Sequence, residues 1–269
     1  MDETIVPSET LTSADIDRQV TSLVSSGHAL YRLNEQAFVS AQPDVVLTQD
    51  LCHVCAITPD QLGRAIQSLP SQPRLITLNP SSVEDIIRDV ERIGQVLEEE
   101  AAAHELAQLL RQRLAAVQAR AADRRSRPRV LCLEWLSPLY IGGHWVPEMV
   151  ELAGGIDVFD VTDQPSRRVT WEEVRMSRPD LVILMPCGFS VDRTIREWEA
   201  LCRTDADWSQ ALTSWAKTYV VDAGSYFSRP GPRLVDGIEL LADIFSGTPS
   251  PRYGDVAVRD ISGRVSRQA

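Results

Sequence analysis

The chain has 269 residues, enough for one or two domains with a real core, which excludes peptide hormones and disulfide miniatures. Its 27 basic and 38 acidic residues sum to −11, a charge that repels nucleic-acid phosphate and anionic lipid. Lys217 is the only lysine and follows no glycine loop, so P-loop nucleotide chemistry is excluded, and no apolar run of about 18 residues makes the chain membrane-spanning.

Met1 to Thr10 is polar and expected to be loose. It has neither a basic n-region nor an apolar h-region, so no signal peptide is expected, and the chain as written reads as cytoplasmic, or as periplasmic or cell-surface if the start is shortened. Five cysteines spread over the chain do not form a disulfide framework, and a reducing compartment follows. Runs rich in valine, isoleucine and leucine predict strands at Asp44 to Thr48 and Arg74 to Leu78. Three more follow at Arg129 to Leu133, Asp180 to Met185 and Thr218 to Val221. Each is followed by a segment of helical character, the pattern of an α/β protein with parallel sheets covered on both faces.

Between the second and third strands, residues 82 to 122 form the longest helical pattern. Ser81 and Glu84 have the spacing of a capping box. As one helix the segment would run about 60 Å at 1.5 Å per residue, so a break is expected near Glu98 to Ala103. Arg111, Arg113, Arg120, Arg124 and Arg125 crowd its C-terminal half, where positive charge suits the helix dipole and solvent. The resulting division is an N-terminal α/β lobe over 1–98, a connecting helix over 99–126, a C-terminal α/β lobe over 127–248 and a loose tail over 249–269.

Ligands of parallel α/β sheets meet the loops beyond the carboxyl ends of the strands. After the first strand comes Asp50-Leu-Cys-His-Val-Cys55, whose Cys52 and Cys55 read either as loop-shaping residues or as thiol or metal chemistry. His144 and Cys187 would have to complete a metal site from another lobe. After the third strand, Trp135, Tyr140, His144 and Trp145 bracket Gly142-Gly143, whose freedom at positive φ is expected to let backbone approach a ligand. Such aromatic loops suit a large, flat, partly apolar ligand, and the same tryptophans suit inter-helix packing. Met185-Pro-Cys-Gly-Phe189 follows the fourth strand, and Asp222 to Arg233 follows the fifth, entering a helix near Pro230 or Pro232. There, Arg229 and the loop amides either hold an anionic ligand edge or cap the helix. No hydrolase elbow, zinc-protease motif or dinucleotide fingerprint is present, so the loops read as built to hold rather than to transform.

At these loops the sequence resembles the cobalamin-binding proteins of ABC-type importers, within the helical-backbone periplasmic binding proteins that also carry iron-siderophores and haem. The resemblance is carried in one order by Leu30-Tyr-Arg-Leu33, Pro43 to Cys55, Gly143-His-Trp-Val-Pro-Glu-Met-Val-Glu-Leu-Ala-Gly-Gly155, Arg178 to Phe189 and Tyr226-Phe-Ser-Arg-Pro-Gly-Pro-Arg-Leu-Val-Asp-Gly237. It implies two Rossmann-like lobes with parallel sheets joined by a long rigid helix, and a non-catalytic corrinoid carrier that pairs with an ABC permease. Cobalamin enters as ligand, clamped between the lobes. Asp50, Cys52 and Cys55 would line one lobe; Trp135, His144, Trp145, Cys187, Phe189, Tyr226, Phe227 and Arg229 would line the other. The family's opening strand, turn, helix and second strand have no match, so the N-terminal lobe is expected to be incomplete. Ser228 stands near the place where the family has an acidic docking residue for the permease. The alternatives are an iron-siderophore or haem carrier and a cytosolic cobalamin-handling protein that uses the cysteines. A cobalt ligand from His144 or a cysteine is left open.

Overall fold

A computed structural model describes residues 2–4, 10–28, 30–49, 59–124, 126–162, 164–215, 217–247 and 251–262. The chain divides into two compact units, Met1–Pro80 and Ser81–Ala269.

The first unit contains β1 (Asp2–Thr4), α1 (Ser13–Ser25), β2 (Tyr31–Leu33), α2 (Glu35–Ala41), β3 (Val45–Gln49), α3 (Pro59–Gln67) and β4 (Arg74–Leu78). Short polar side chains start two of the helices: Thr12 accepts the Asp15 N–H and Asn34 accepts the Ala37 N–H. β1 pairs antiparallel with β2, so part of the opening segment expected to be loose is strand. β3 and β4 form a parallel pair with Val46 opposite Leu75 and Leu47 opposite Ile76. Residues opposite one another in a parallel pair share a face. Each face therefore buries one apolar residue, Val46 or Ile76, and leaves the other, Leu75 or Leu47, half-exposed.

The second unit begins with α4 (Val83–Val96) and α5 (Glu100–Ala122). Its strands and helices continue as β5 (Arg129–Leu136), β6 (Leu139–Ile141), α6 (Val146–Leu152), β7 (Ile156–Asp157), β8 (Arg167–Arg168), α7 (Trp171–Ser177), β9 (Leu181–Leu184) and α8 (Val191–Thr204). It ends with α9 (Ala206–Ser214), β10 (Thr218–Val221), α10 (Ala223–Tyr226), α11 (Arg233–Phe245), α12 (Gly254–Ala257) and β11 (Val258–Asp260). A seven-stranded sheet runs in the order β11-β10-β9-β5-β6-β8, with β7 also on β5. β5, β7, β9 and β10 are parallel, while β6, β8 and β11 pair antiparallel. The fold is of the expected α/β class. The tail expectation fails for residues 251–262: β11 extends the sheet beside β10, and Tyr253, Ala257, Val258 and Ile261 are buried.

The long helical pattern breaks between α4 and α5, where Glu98 takes φ 60. The capping box is one residue later than expected, with Ser82 and Asp85 reciprocally bonded, and Ser81 also donates to the Asp85 carboxylate. Gly94 lets the two helices close, because a Cβ there would collide with Ala103. The arginines expected to face solvent have protein partners instead. Arg111 grips Glu84 at 2.6 Å and Glu91 at 3.0 Å. Arg113 grips Asp236 at 2.5 Å and Glu239 at 2.8 Å, and Arg120 reaches Asp243 at 3.3 Å. Arg124 donates to the carbonyls of Ala153 and Ala242, satisfying acceptors at the ends of α6 and α11. Arg125 lies outside the described residues.

Candidate functional site

Three loops meet at the carboxyl ends of β5, β9 and β10, adjacent parallel strands of the second unit. Backbone bonds tie the first two together: Met185 N–H donates to Leu133 O at 2.9 Å and Cys187 N–H donates to Glu134 O at 3.1 Å. The chain leaves β5, turns through Ser137 and Pro138 into β6 and reaches Gly142-Gly143-His144 before α6. Glu134 holds this turn by accepting the Gly143 N–H at 3.2 Å.

Neither Gly142 nor Gly143 takes positive φ; His144 does, at 54. The glycines are needed for space. A Cβ on Gly142 would lie 2.7 Å from Val146 Cγ1, and one on Gly143 would lie 2.7 Å from Gln164 O. This corrects the expectation of positive φ: Gly142 makes room for the Val146 side chain, and Gly143 for the backbone of residues 164–166.

The loops bring their aromatic residues together in two groups. In the first, Phe189 is buried with the Trp135 ring 5.2 Å away at 63°, an edge-to-face pair, and the Arg193 guanidinium 3.5 Å from its centroid. In the second, Trp145 is buried and its Nε1–H donates to Phe227 O at 2.8 Å, joining the β5 side to the β10 loop. The His144 ring lies 5.8 Å from Trp145. Phe227 is buried under α11, whose Gly237 permits the approach: a Cβ there would meet Met149 Cε at 2.9 Å and Phe227 Cε1 at 3.2 Å. Tyr226 is half-buried and meets Tyr253 edge-on at 6.1 Å.

Trp135 and His144 are also half-buried, whereas Cys187 and Arg229 are exposed. Asp50, Cys52 and Cys55 lie outside the described residues. Burial holds the Cys132 thiol well above its usual range and pushes Cys202 up to about 12, so both stay protonated at neutral pH and are poor nucleophiles. Among the described residues, no group of three or more histidines, cysteines and acids is placed to hold a metal ion. No helix among them is long and apolar enough to cross a membrane. Sequence reading missed Arg193 and Tyr253. The first had a signal in the spacing of Phe189 and Arg193, four apart across the Ser190 N-cap of α8; the second lay in the segment read as a tail.

Among curated proteins, the chain is 23% identical to a vitamin B12-binding protein of Yersinia pestis (strain Pestoides F) over 176 residues, 64% of this chain and 58% of that protein. The chain thus spans little more than half the length of that relative. Among solved structures, a periplasmic heme-binding protein from Pseudomonas aeruginosa aligns with a TM-score of 0.66 at 19% identity, covering 85% of this chain and 81% of that one. The periplasmic vitamin B12-binding protein of Vibrio cholerae aligns with a TM-score of 0.58 at 18% identity, covering 80% of this chain and 78% of that one. Both likenesses show the fold. A family model described as periplasmic binding protein matches residues 17–206, most of the chain, and the chain belongs to that family.

Proposed function

We propose that this protein is a non-catalytic ligand-capturing component of ABC-type uptake and that its ligand is a corrinoid. The observation that carries the reading is the convergence of Trp135, His144, Trp145, Phe189, Tyr226 and Phe227 on three adjacent strand-end loops. The partly exposed Trp135, His144 and Tyr226 would face a broad macrocycle, and the buried Phe189, Trp145 and Phe227 behind them fix those loops, so that little side-chain freedom is lost on binding. The likeness to vitamin B12-binding relatives supports cobalamin over other macrocycles. Asp50, Cys52 and Cys55 are assigned to the same ligand on the family resemblance, and an ABC permease is the proposed protein partner.

Haem is the second reading, favoured by one feature: the His144 imidazole stands half-buried at a loop tip, and imidazole is a common haem-iron ligand. Both ligands are coloured, so one experiment separates them. The protein is mixed with cyanocobalamin or with hemin, passed through a desalting column, and the visible spectrum of the protein fraction is read. Co-elution of corrinoid absorbance in preference to hemin is expected. A fraction that carries hemin and no corrinoid overturns the first reading in favour of the second, and a colourless fraction from folded protein overturns both.

A further inference from the structure

α5 buries one side and carries apolar residues on a second, exposed side. Ala103, Ala107, Leu110 and Val117 are buried, and Ala107 and Leu110 pack with Ile87 of α4 and Val235 of α11. The exposed side repeats the apolar pattern at helical spacing: Ala102, Leu106, Leu109, Ala116 and Ala119 all meet solvent, and Leu109 is 50% exposed. The outer face of a solvated helix is polar, and a helix that is apolar on two sides is suited to being covered on both.

Two helical turns along the same face from Leu109 lies a hollow of about 320 Å³. Arg113, Ala116, Val117 and Arg120 line it on α5, and residues of α11 and Tyr253 line it from the other side. Projecting leucines and a hollow about 10 Å apart on one helix are self-complementary under a two-fold axis that crosses the helix near its middle. That axis makes the second helix antiparallel. It brings Leu106 and Leu109 of each copy over the Ala116 hollow of the other and sets Ala102 against Ala119, where small side chains let the helices approach. Charge favours the same arrangement. Glu99 and Glu105 are exposed in the N-terminal half, and the Glu99 side chain makes no capping bond. Arg120, in the C-terminal half, reaches Asp243 at 3.3 Å and still has 56% of its side chain exposed. An antiparallel pair therefore sets carboxylates against a guanidinium, whereas a parallel pair sets like charges side by side. Arg113, beside the axis, is neutralised within its own chain by Asp236 and Glu239, so the two copies do not bring bare cations together.

We propose that the outer face of α5 is an interface with a second copy of this chain, formed as an antiparallel helix pair. The interface uses none of the strand-end loops and holds whichever ligand the protein carries. The 23-residue helix is about 34 Å long, and a single pair of that length buries on the order of 1,000 Å², the low end for a specific interface. The dimer is therefore expected to dissociate in the micromolar range.

Sedimentation velocity at physiological salt, from about 5 to 500 µM, tests this on the whole chain, with circular dichroism confirming that each variant is folded. Wild type is expected to pass from monomer to dimer over that range, and Leu109→Glu to need at least about tenfold more protein. Two charge-reversed proteins locate the contact: one carries Glu99→Arg with Glu105→Arg, the other Arg120→Glu. Each alone repels its own copy and is expected to stay monomeric, and an equal mixture is expected to dimerise, because each pairing between the two is again of opposite sign. A wild type that is monomeric throughout overturns the proposal and leaves the face to a different partner. A dimer indifferent to Leu109→Glu overturns it as well, since the contact then lies elsewhere. So does a mixture no more dimeric than its two components.

Discussion

The parallel strands of the two units are alike in composition and unlike in cover. In β9 and β10 every residue is buried, on strands whose flanking helices supply Val191, Ile195, Trp198 and Trp208 to one continuous core. In β3 and β4, Leu47 and Leu75 are each 50% exposed, one on each face. An apolar run specifies a strand that wants both faces covered; whether it obtains them depends on neighbours elsewhere in the chain. The second unit supplies five further strands around β9 and β10, and the described part of the first supplies only one partner for each strand.

This difference predicts the largest effect. Ile183→Ala, in the middle of β9, removes a fully buried side chain and is expected to cost about 2 to 5 kcal/mol. Leu47→Ala on β3 is expected to cost about 1 kcal/mol or less, since half of that side chain is already in water. All six tryptophans lie in the second unit, so tryptophan fluorescence follows that unit alone, whereas far-ultraviolet circular dichroism follows both. Urea unfolding of the wild type should show a dichroism change that precedes the fluorescence change. Coincident transitions, or equal costs for the two substitutions, would break the comparison.

A smaller effect tests how the second unit holds the segment that sequence reading left loose. Arg113 and Arg252 both clasp Asp236 and Glu239, and Tyr253 Oη–H donates to Asp236 O at 3.0 Å, fastening the 251–253 turn to α5 and α11. Burial pushes the Glu239 carboxyl up, but the hydrogen bonds and charge of Arg113, joined by Arg252, outweigh it and hold the group below its ordinary value. A carboxylate with a lowered folded-state pKa contributes stability above its unfolded pKa, about 4.3, and loses it as pH falls through the folded value. Glu239→Gln should therefore be less stable than wild type by about 1 to 2 kcal/mol at pH 7, with the gap closing as pH falls through the lowered folded-state value. A gap independent of pH would mean that packing, not charge, fastens the turn.

What could be read beforehand follows from the range of the interactions. The strands Arg74–Leu78 and Thr218–Val221 were legible to the residue, because a continuous apolar run is a local signal. β6, β8 and β11 are two or three residues long and made by pairing, so no periodicity announces them. The arginines of α5 were misread because their carboxylates are distant in sequence: Arg111 meets Glu84 across 27 positions and Arg113 meets Glu239 across 126. At the candidate site the loops and their aromatic content were legible. The division of labour among them was not: Trp145 and Phe227 are joined through one hydrogen bond, and Gly142 and Gly143 relieve crowding inside the protein. Local sequence announces that a loop is aromatic, and only the packed fold decides which ring faces inward.

The smallest expected effect concerns a charge that the well-covered unit keeps inside. Asp157, at the end of β7, is 7% exposed, and its Oδ1 accepts the N–H groups of Phe159 and Asp160 at 2.9 Å each. Burial raises its carboxyl above the ordinary range despite those bonds, with Asp160 and Glu151 adding like charge. A raised folded-state pKa means that the folded protein holds the proton more tightly, so stability falls as pH rises from the unfolded value, about 3.9, through the folded one. Asn keeps the Oδ1 acceptor and removes the charge. Asp157→Asn is therefore expected to match wild type in acid, below the unfolded pKa, and to exceed it at pH 7, read as a shift of the urea midpoint in tryptophan fluorescence. A variant less stable than wild type at pH 7 alone would show that the two N–H bonds favour the carboxylate by more than burial disfavours it. Close cover would then stabilise this charge through the hydrogen bonds it arranges.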